Sequence, residues 1–226
     1  MPKLNDSLRD TRKLRIEKAA KTLFIKQGFH GTSTRAIASR AGVSLGNVYN
    51  YYRTKEEILE SIIGRYQKVI DAGLNEMFAQ LTEPFQPDDL VRFGHAVGSL
   101  VSKHSDYWLL MYIDVLEFRN QHFRKMFEGL SKKLQKRFAG HFGELRSTDS
   151  LCAGADPSVA FTAAYMQFFD YFLVERLFGG NQHFGISDDQ VVVKLAEIFS
   201  RGVMRPEKIR SPPAKKTPAK QITHKR

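Results

Sequence analysis

Residues 32–55 read TSTRAIASRAGVSLGNVYNYYRTK, and the spacing within this stretch predicts two short helices joined by a tight turn. The hydroxyl cluster 32–34 precedes apolar residues at helical spacing, and Gly42 then suits a left-handed helix end. Ser44 can cap a second helix across LGNVYNYY. This arrangement is typical of a helix-turn-helix, in which the second helix lies in the major groove of DNA.

The outer face of the second helix predicts the contacts with DNA. Val48 and Tyr52 lie four residues apart and point inward, so their neighbours face outward. Asn47 and Asn50 suit base edges, adenine in particular, and Gly46 allows a close backbone approach because it has no Cβ. Hydroxyl and ammonium groups beside them suit phosphates. The predicted DNA-binding residues are Thr34, Arg35, Ser44, Leu45, Gly46, Asn47, Tyr49, Asn50, Tyr51 and Lys55.

Around this motif, over about residues 12–60, the sequence resembles the signature of the TetR (tetracycline-repressor) family. The matching residues are Gly28, Phe29, Thr32, Ser33, Ile37, Ala38, Ala41, Gly42, Val43, Ser44, Gly46, Tyr49, Tyr51, Lys55, Glu56 and Leu59. The family usually has Phe where this chain has Tyr52, and a buried hydroxyl needs a partner. The resemblance implies a homodimeric regulator of a palindromic operator, a repressor by default, released by a small-molecule effector.

Apolar residues recur at helical spacing along the rest of the chain, which predicts an all-α protein. We expect an N-terminal three-helix bundle with the helix-turn-helix in residues 1–54, and a C-terminal helical ligand-binding and dimerisation domain in residues 55–204. Residues 205–226 form a basic tail predicted to be disordered. The other predicted helices are about 11–27, 55–81, 88–103, 105–118, 121–145, 157–178 and 187–203. The helix over 55–81 would connect both domains like a lever.

Charge is concentrated at the two ends of the chain. The net charge is +11, of which residues 1–60 contribute +6 and residues 205–226 contribute +7, while the middle carries −2. This distribution favours a nucleic-acid binder over a uniformly solvated surface. The tail suits either a sequence-independent grip on phosphates or simple solubilisation. One cysteine, no signal-peptide pattern and no membrane-length apolar run predict a cytoplasmic protein without membrane contact.

The resemblance also implies an effector cavity in the C-terminal domain and a dimer formed by the last two helices. The predicted ligand-binding residues are Phe93, Val97, Trp108, Tyr112, Met126, Tyr165, Phe168 and Phe169. Plain core packing is the alternative for each of them. Collectively they favour a bulky apolar or aromatic ligand of unknown identity, and nearby polar groups suited to orient it are His95, Asp114, Glu117 and Gln167.

Two other classes of function remain to be weighed. The seven histidines and Cys152 form no metal-binding or nucleophile pattern, and no glycine-rich phosphate loop is present. We therefore predict neither an enzyme nor a cofactor or metal. The alternative is a non-specific, architectural nucleic-acid-binding protein without ligand control, in which the basic tail dominates.

Overall fold

The computed structural model describes residues 3–152, 155–180 and 182–209. Within these ranges the side chains of residues 3–8, 125–127, 130, 131, 134 and 137 are not described. The segment of the predicted tail from residue 210 onward lies outside the described residues.

The described chain is helical, which confirms the predicted all-α fold class. The helices are α1 Lys3–Gln27, α2 Thr34–Ala41, α3 Leu45–Tyr49, α4 Lys55–Ala79, α5 Pro87–Lys103, α6 Ser105–Phe118, α7 Arg124–Arg137, α8 Ala139–Ser147, α9 Pro157–Leu177 and α10 Asp188–Val203. A short 3-10 turn follows at Pro206–Lys208, and a single antiparallel bridge joins Leu151 to Met204 within the described residues. No helix in the described ranges has the length and apolar character needed to span a bilayer.

Outside residues 32–55, the helices differ from the sequence prediction in two places. Helix α1 begins at Lys3 rather than near residue 11. The single helix predicted over 121–145 is wrong: it is divided into α7 and α8 at Phe138, where the backbone leaves the helical region (φ −108°, ψ 17°). The Phe138 ring is buried there, 5.0 Å from the ring of Phe161 on α9. Both halves keep helical spacing, so periodicity alone does not mark the break.

Helices α9 and α10 pack closely against α5 because two glycines of α5 have no side chain in the way. A Cβ added to Gly94 would lie 2.7 Å from Val192 of α10 and 2.8 Å from Phe168 of α9. A Cβ added to Gly98 would lie 2.4 Å from the Phe172 ring. Both α9 and α10 therefore pack directly against the α5 backbone, which leaves their opposite faces on the outside of the molecule.

Candidate functional site

Caps at predicted positions define the helix-turn-helix. The Ser33 hydroxyl accepts a hydrogen bond from Ala36 N–H (3.1 Å), and Ser44 accepts one from Asn47 N–H (3.2 Å). Gly42 ends α2 in the left-handed region (φ +63°), where an L side chain is strained. Arg15 on α1 donates to the Ala41 carbonyl (2.7 Å), so α1 holds the end of α2. Sequence reasoning missed this last contact, since a long basic side chain on a surface helix carries no distinguishing pattern.

The candidate reading helix α3 is shorter than predicted. It ends at Tyr49, with Asn50 as its C-cap, rather than continuing to Tyr52. The Tyr52 N–H still bonds to the Val48 carbonyl (3.0 Å), so the chain completes one further turn outside regular helix. Val48 and Tyr52 are buried in the core as predicted. Their burial fixes which face of α3 is directed outward.

The predicted base-contacting residues lie on that outward face. Asn50 and Gly46 are exposed, Asn47 is half-buried, and Tyr49 is 53% exposed. Within the described chain neither Asn side-chain amide is hydrogen-bonded, so both remain available. A Cβ added to Gly46 would meet nothing within 4 Å. The glycine is therefore not required by the packing of the protein itself.

The other predicted DNA-binding residues surround this face with different exposure. Those at the start of α2 and α3 are surface groups: Arg35 and Ser44 are exposed, while Thr34 and Leu45 are half-buried. Tyr51 is half-buried and packs partly against the core. These exposures leave most of the predicted set accessible at the surface, and the last member is the exception.

That member, Lys55, is directed at the α1–α2 loop. Its ammonium donates to the carbonyls of Phe29 (2.9 Å) and Thr32 (2.7 Å), and it lies 4.4 Å from the centre of the Phe29 ring. An ammonium has three donors, so two of them are used within the protein. Lys55 therefore positions the loop that precedes α2, with one N–H left for a phosphate.

A buried carboxylate joins α1, α4 and the turn that follows the reading helix. Glu17 accepts hydrogen bonds from Tyr52 Oη (2.6 Å), Ser61 Oγ (2.7 Å) and Arg65 Nε (2.9 Å). Burial, together with the bond to Glu17, raises the pKa of the Tyr52 phenol above its ordinary range. Sequence reasoning noted that the Tyr52 hydroxyl needs a partner but did not identify Glu17. The signal was a carboxylate beside Ile16 on the apolar face of α1.

Helix α6 holds the N-terminal helices at both of its ends. Near its start, Lys21 of α1 pairs with Asp106 and donates to Tyr66 Oη (2.8 Å). Burial alone would lower the pKa of Lys21, but these hydrogen bonds outweigh it and raise the pKa. Near the end of α6, Glu117 accepts the backbone N–H groups of Phe29 (3.0 Å) and His30 (2.8 Å). The predicted lever α4 is thus not the sole connection between the two parts of the described chain.

Five of the eight predicted ligand-binding residues form a row of contacting rings in the core. Phe93 lies 6.3 Å from Tyr165, Tyr165 lies 5.6 Å from Phe169, and Phe169 lies 4.9 Å from Trp108. Phe168 lies 6.1 Å from Phe93, and Val97 is likewise fully buried. The indole N–H of Trp108 is buried without a hydrogen-bond partner. Leaving a buried donor unpaired lowers the stability of the folded state by about 1–3 kcal/mol. A ligand with a hydrogen-bond acceptor at this position would remove that cost.

Among the described side chains, Tyr112 lies apart from this row. Tyr112 is half-buried and contacts Phe178 at the C-terminal end of α9, with their ring centres 5.9 Å apart. The side chain of Met126 lies outside the described residues. The row named here, and referred to below as the ring row, is Phe93, Tyr165, Phe168, Phe169 and Trp108.

Three of the four polar groups expected to orient a ligand are engaged elsewhere. Asp114 is fully buried and accepts the backbone N–H groups of His122 (3.1 Å) and Phe123 (3.0 Å). Glu117 holds the α1–α2 loop, and Gln167 donates to the Leu195 carbonyl (3.4 Å). Among the described side chains, no cluster of three or more His, Cys, Asp or Glu residues is arranged to bind a metal.

Comparisons with known proteins agree with this geometry. The family described as "Bacterial regulatory proteins, tetR family" matches residues 16–62, which run from α1 through the reading helix into α4. The "HTH-type transcriptional repressor KstR2" of Mycolicibacterium smegmatis is 29% identical over 120 residues, covering 47% of this chain. The chain spans 57% of that repressor's length.

Solved structures show that the likeness of fold extends beyond the matched segment. A Clostridium perfringens putative fatty acid metabolism regulator superposes with a TM-score of 0.63 at 18% identity, over 84% of this chain and 99% of that one. The transcriptional regulator FadR from Bacillus subtilis, in complex with stearoyl-CoA, gives a TM-score of 0.58 at 18% identity, over 84% and 98%. The matched helix-turn-helix, its capped and exposed reading helix, and this shared all-α fold lead to one conclusion. Over residues 16–62, the chain matches the TetR family of bacterial regulatory proteins.

Proposed function

We propose that this protein is a homodimeric transcriptional repressor that binds a palindromic operator and is released by a small, largely apolar or aromatic ligand. The proposal rests on the way in which α3 is held, with one face buried and the other exposed. Its inner face is buried through Val48, whereas the side-chain amides of half-buried Asn47 and exposed Asn50 have no hydrogen-bond partner among the described residues. A recognition helix needs this combination, because base readout requires free donors and acceptors on a rigidly held element.

The proposed contacts divide into base readers and phosphate binders. Asn47 and Asn50 read base edges, while the Tyr49 hydroxyl and Arg35 bind phosphates and set the register. Lys55 supports phosphate binding mainly by fixing the loop before α2, since two of its donors are already used. Thr34, Ser44, Leu45, Gly46 and Tyr51 complete the proposed surface.

A homodimer is supported by the outer faces of α9 and α10. Val159 and Met166 on α9 and Ile198 on α10 are more than half exposed. Large apolar side chains in such a row favour burial against a partner. Because a two-fold protein matches a two-fold DNA site, the same arrangement explains why the operator would be palindromic.

A ligand site around the ring row is supported by its chemistry. The row consists of aromatic side chains, and the Trp108 indole N–H at its end is a buried donor without a partner among the described residues. We propose a ligand with a bulky apolar body and one hydrogen-bond acceptor that reaches this N–H. In the stearoyl-CoA bound to the Bacillus subtilis regulator, the acyl part alone has this character, with a long apolar chain and a carbonyl acceptor, whereas the coenzyme A part is large and polar. Neither an enzymatic activity nor a resident cofactor is part of the proposal, and binding to DNA implies a cytoplasmic location.

Selection of bound DNA from a random pool tests the proposed function. We expect a two-fold symmetric sequence with two half-sites, bound as one dimer per site. Affinity for a scrambled duplex should be lower by about 10³-fold or more at the same salt concentration. An architectural protein would instead bind both duplexes alike, and its affinity would be governed by salt alone. That outcome would replace the repressor proposal by the alternative of a non-specific nucleic-acid-binding protein.

A further inference from the structure

Helix α6 has no polar face, although part of its surface is exposed to solvent. Its charged residues are all used internally: Asp106 pairs with Lys21, Asp114 holds the α6–α7 loop, and Glu117 holds the α1–α2 loop. The remainder of its sequence is almost entirely apolar. A helix that is apolar all round is expected to be covered all round.

The most exposed part of α6 is a patch formed by Tyr112 and the two adjacent residues one turn after it, Val115 and Leu116. Leu116 is 82% exposed and Val115 is 48% exposed, while Tyr112 is half-buried on the same side. Spacings of three and four place these side chains together on one face. We call this set the α6 stripe.

The α6 stripe is continuous with the outer face of α9. Tyr112 contacts Phe178, the C-cap of α9, which is itself 64% exposed. Val174, one turn before Phe178, is also exposed and belongs to the face that carries Met166. Apart from the exposed carboxylate of Asp170, the apolar surface runs from Met166 on the outer side of α9 through Val174 and Phe178 onto α6.

We propose that the α6 stripe is a second part of the homodimer interface, covered by a second copy of this chain. The inference rests on the proposed homodimer, and it extends that interface from α9 and α10 to α6. Continuity identifies the occupant, since a partner seated on α9 reaches α6 through Phe178. The segment 211–226 of the same chain is a poor alternative, because it is strongly basic and Ile222 is its one large apolar residue.

The proposed contact would act on the reading head through α6 itself. Glu117 follows Leu116 directly, and its carboxylate holds the backbone N–H groups of Phe29 and His30 just before α2. A partner subunit that fixes Leu116 therefore also fixes the carboxylate that positions this loop. The contact between the subunits and the position of the reading head would thus depend on adjacent residues of α6.

The test compares charge substitutions by analytical ultracentrifugation of the full chain. Leu116→Glu should raise the dimer dissociation constant at least about tenfold, because it places an unpaired charge in a desolvated contact. Val69→Glu on α4 is the matched control, a half-exposed apolar residue away from the stripe, and should leave the constant unchanged. Equal effects of both charges would overturn the proposal, since the loss would then be a general response to charge.

Two further measurements separate this proposal from the homodimer on which it depends. Ile198→Glu should disrupt the dimer through α10. If that change acts while Leu116→Glu does not, the homodimer stands and the α6 stripe lies outside it; a monomeric parent would overturn both. In a Cys152→Ser background, Leu116→Cys should react with a maleimide more slowly above the dimer dissociation constant than below it. Equal labelling rates would show that the stripe is open in the dimer and would refute the proposal.

Discussion

Replacing Gly46 by alanine separates a requirement of DNA binding from a requirement of folding. A Cβ at this position meets no protein atom within 4 Å, so the added methyl group has space in the free protein. Gly46 lies in the first turn of α3, where alanine is the better helix former by up to about 1 kcal/mol. For a chain of this size, that gain corresponds to a rise in Tm of about 2–4 °C.

The same methyl group points to the surface that we propose lies against DNA. If the backbone approaches the groove closely at Gly46, the methyl must push α3 outward or displace a contact. Overpacking of a tight contact costs about 1–3 kcal/mol, and we expect operator affinity to fall by about 5- to 150-fold. Gly46→Ala should therefore bind more weakly while it unfolds at the same or a higher temperature than the parent.

Fluorescence anisotropy with the selected operator, at fixed salt, measures the binding change, and differential scanning calorimetry measures the stability. Gly64→Ala on α4 is the matched control, because its Cβ also meets nothing within 4 Å and it lies away from the reading surface. The control should gain similar stability without loss of affinity. Operator binding by Gly46→Ala equal to that of the parent would refute the close approach of α3 to DNA at this residue.

Three further changes test the packing and the electrostatics. Gly98→Ala should lower the free energy of unfolding by about 1–3 kcal/mol in urea titrations, because its Cβ would overlap an α9 ring, whereas Gly64→Ala should not. Tyr52→Phe should cost about 1–2 kcal/mol in the same titrations, since it removes a hydrogen bond to a buried carboxylate, and an unchanged value would contradict this role. Hydrogen bonds from Ser158, Arg146 and the backbone lower the pKa of Asp156, so its stabilisation is complete above about pH 4 and is lost as the pH falls further. Asp156→Asn keeps the helix cap but should flatten that acid decline in thermal melts, and an equally steep decline would assign it to other groups.

The local structure of the reading head could be predicted from sequence because each of its signals acts over a few residues. Ser33, Gly42 and Ser44 lie where their side chains or backbone are needed, and the caps form as expected. The end of α3 was predicted wrongly because Asn50 and Tyr51 retain helix-like hydrogen bonds after the regular helix has ended. The boundary thus depends on a small backbone change that residue type does not encode.

The contacts between distant segments could not be predicted in the same way. Glu117 reaches the α1–α2 loop across 88 residues of sequence, and nothing in its neighbourhood distinguishes it from a surface carboxylate. The interpretation of Glu117 as a ligand-orienting group therefore gives way to a role in holding the loop. Tyr112 was predicted to line the ligand site with Trp108 because they are four residues apart. In the structure, the Tyr112 ring instead contacts the exposed Phe178 at the end of α9. Helical spacing indicates a shared face but does not indicate what lies against each end of it.

Helix α6 is the element in which the proposed ligand, the partner subunit and the reading head meet. Trp108 lies in the ring row, Leu116 lies on the proposed interface, and Glu117 holds the loop before α2. A ligand that shifts a conformational equilibrium from 1:99 to 99:1 must bind the favoured state about 10⁴-fold more tightly. A ligand acceptor that bonds to the Trp108 N–H in only one of the two positions of α6 would contribute part of this difference in affinity. In that state the ligand would remove the cost of the unpaired donor. A shift of α6 would then strain the hydrogen bonds between Glu117 and the loop before α2. The helix that contacts the ligand would thereby also weaken the binding of DNA.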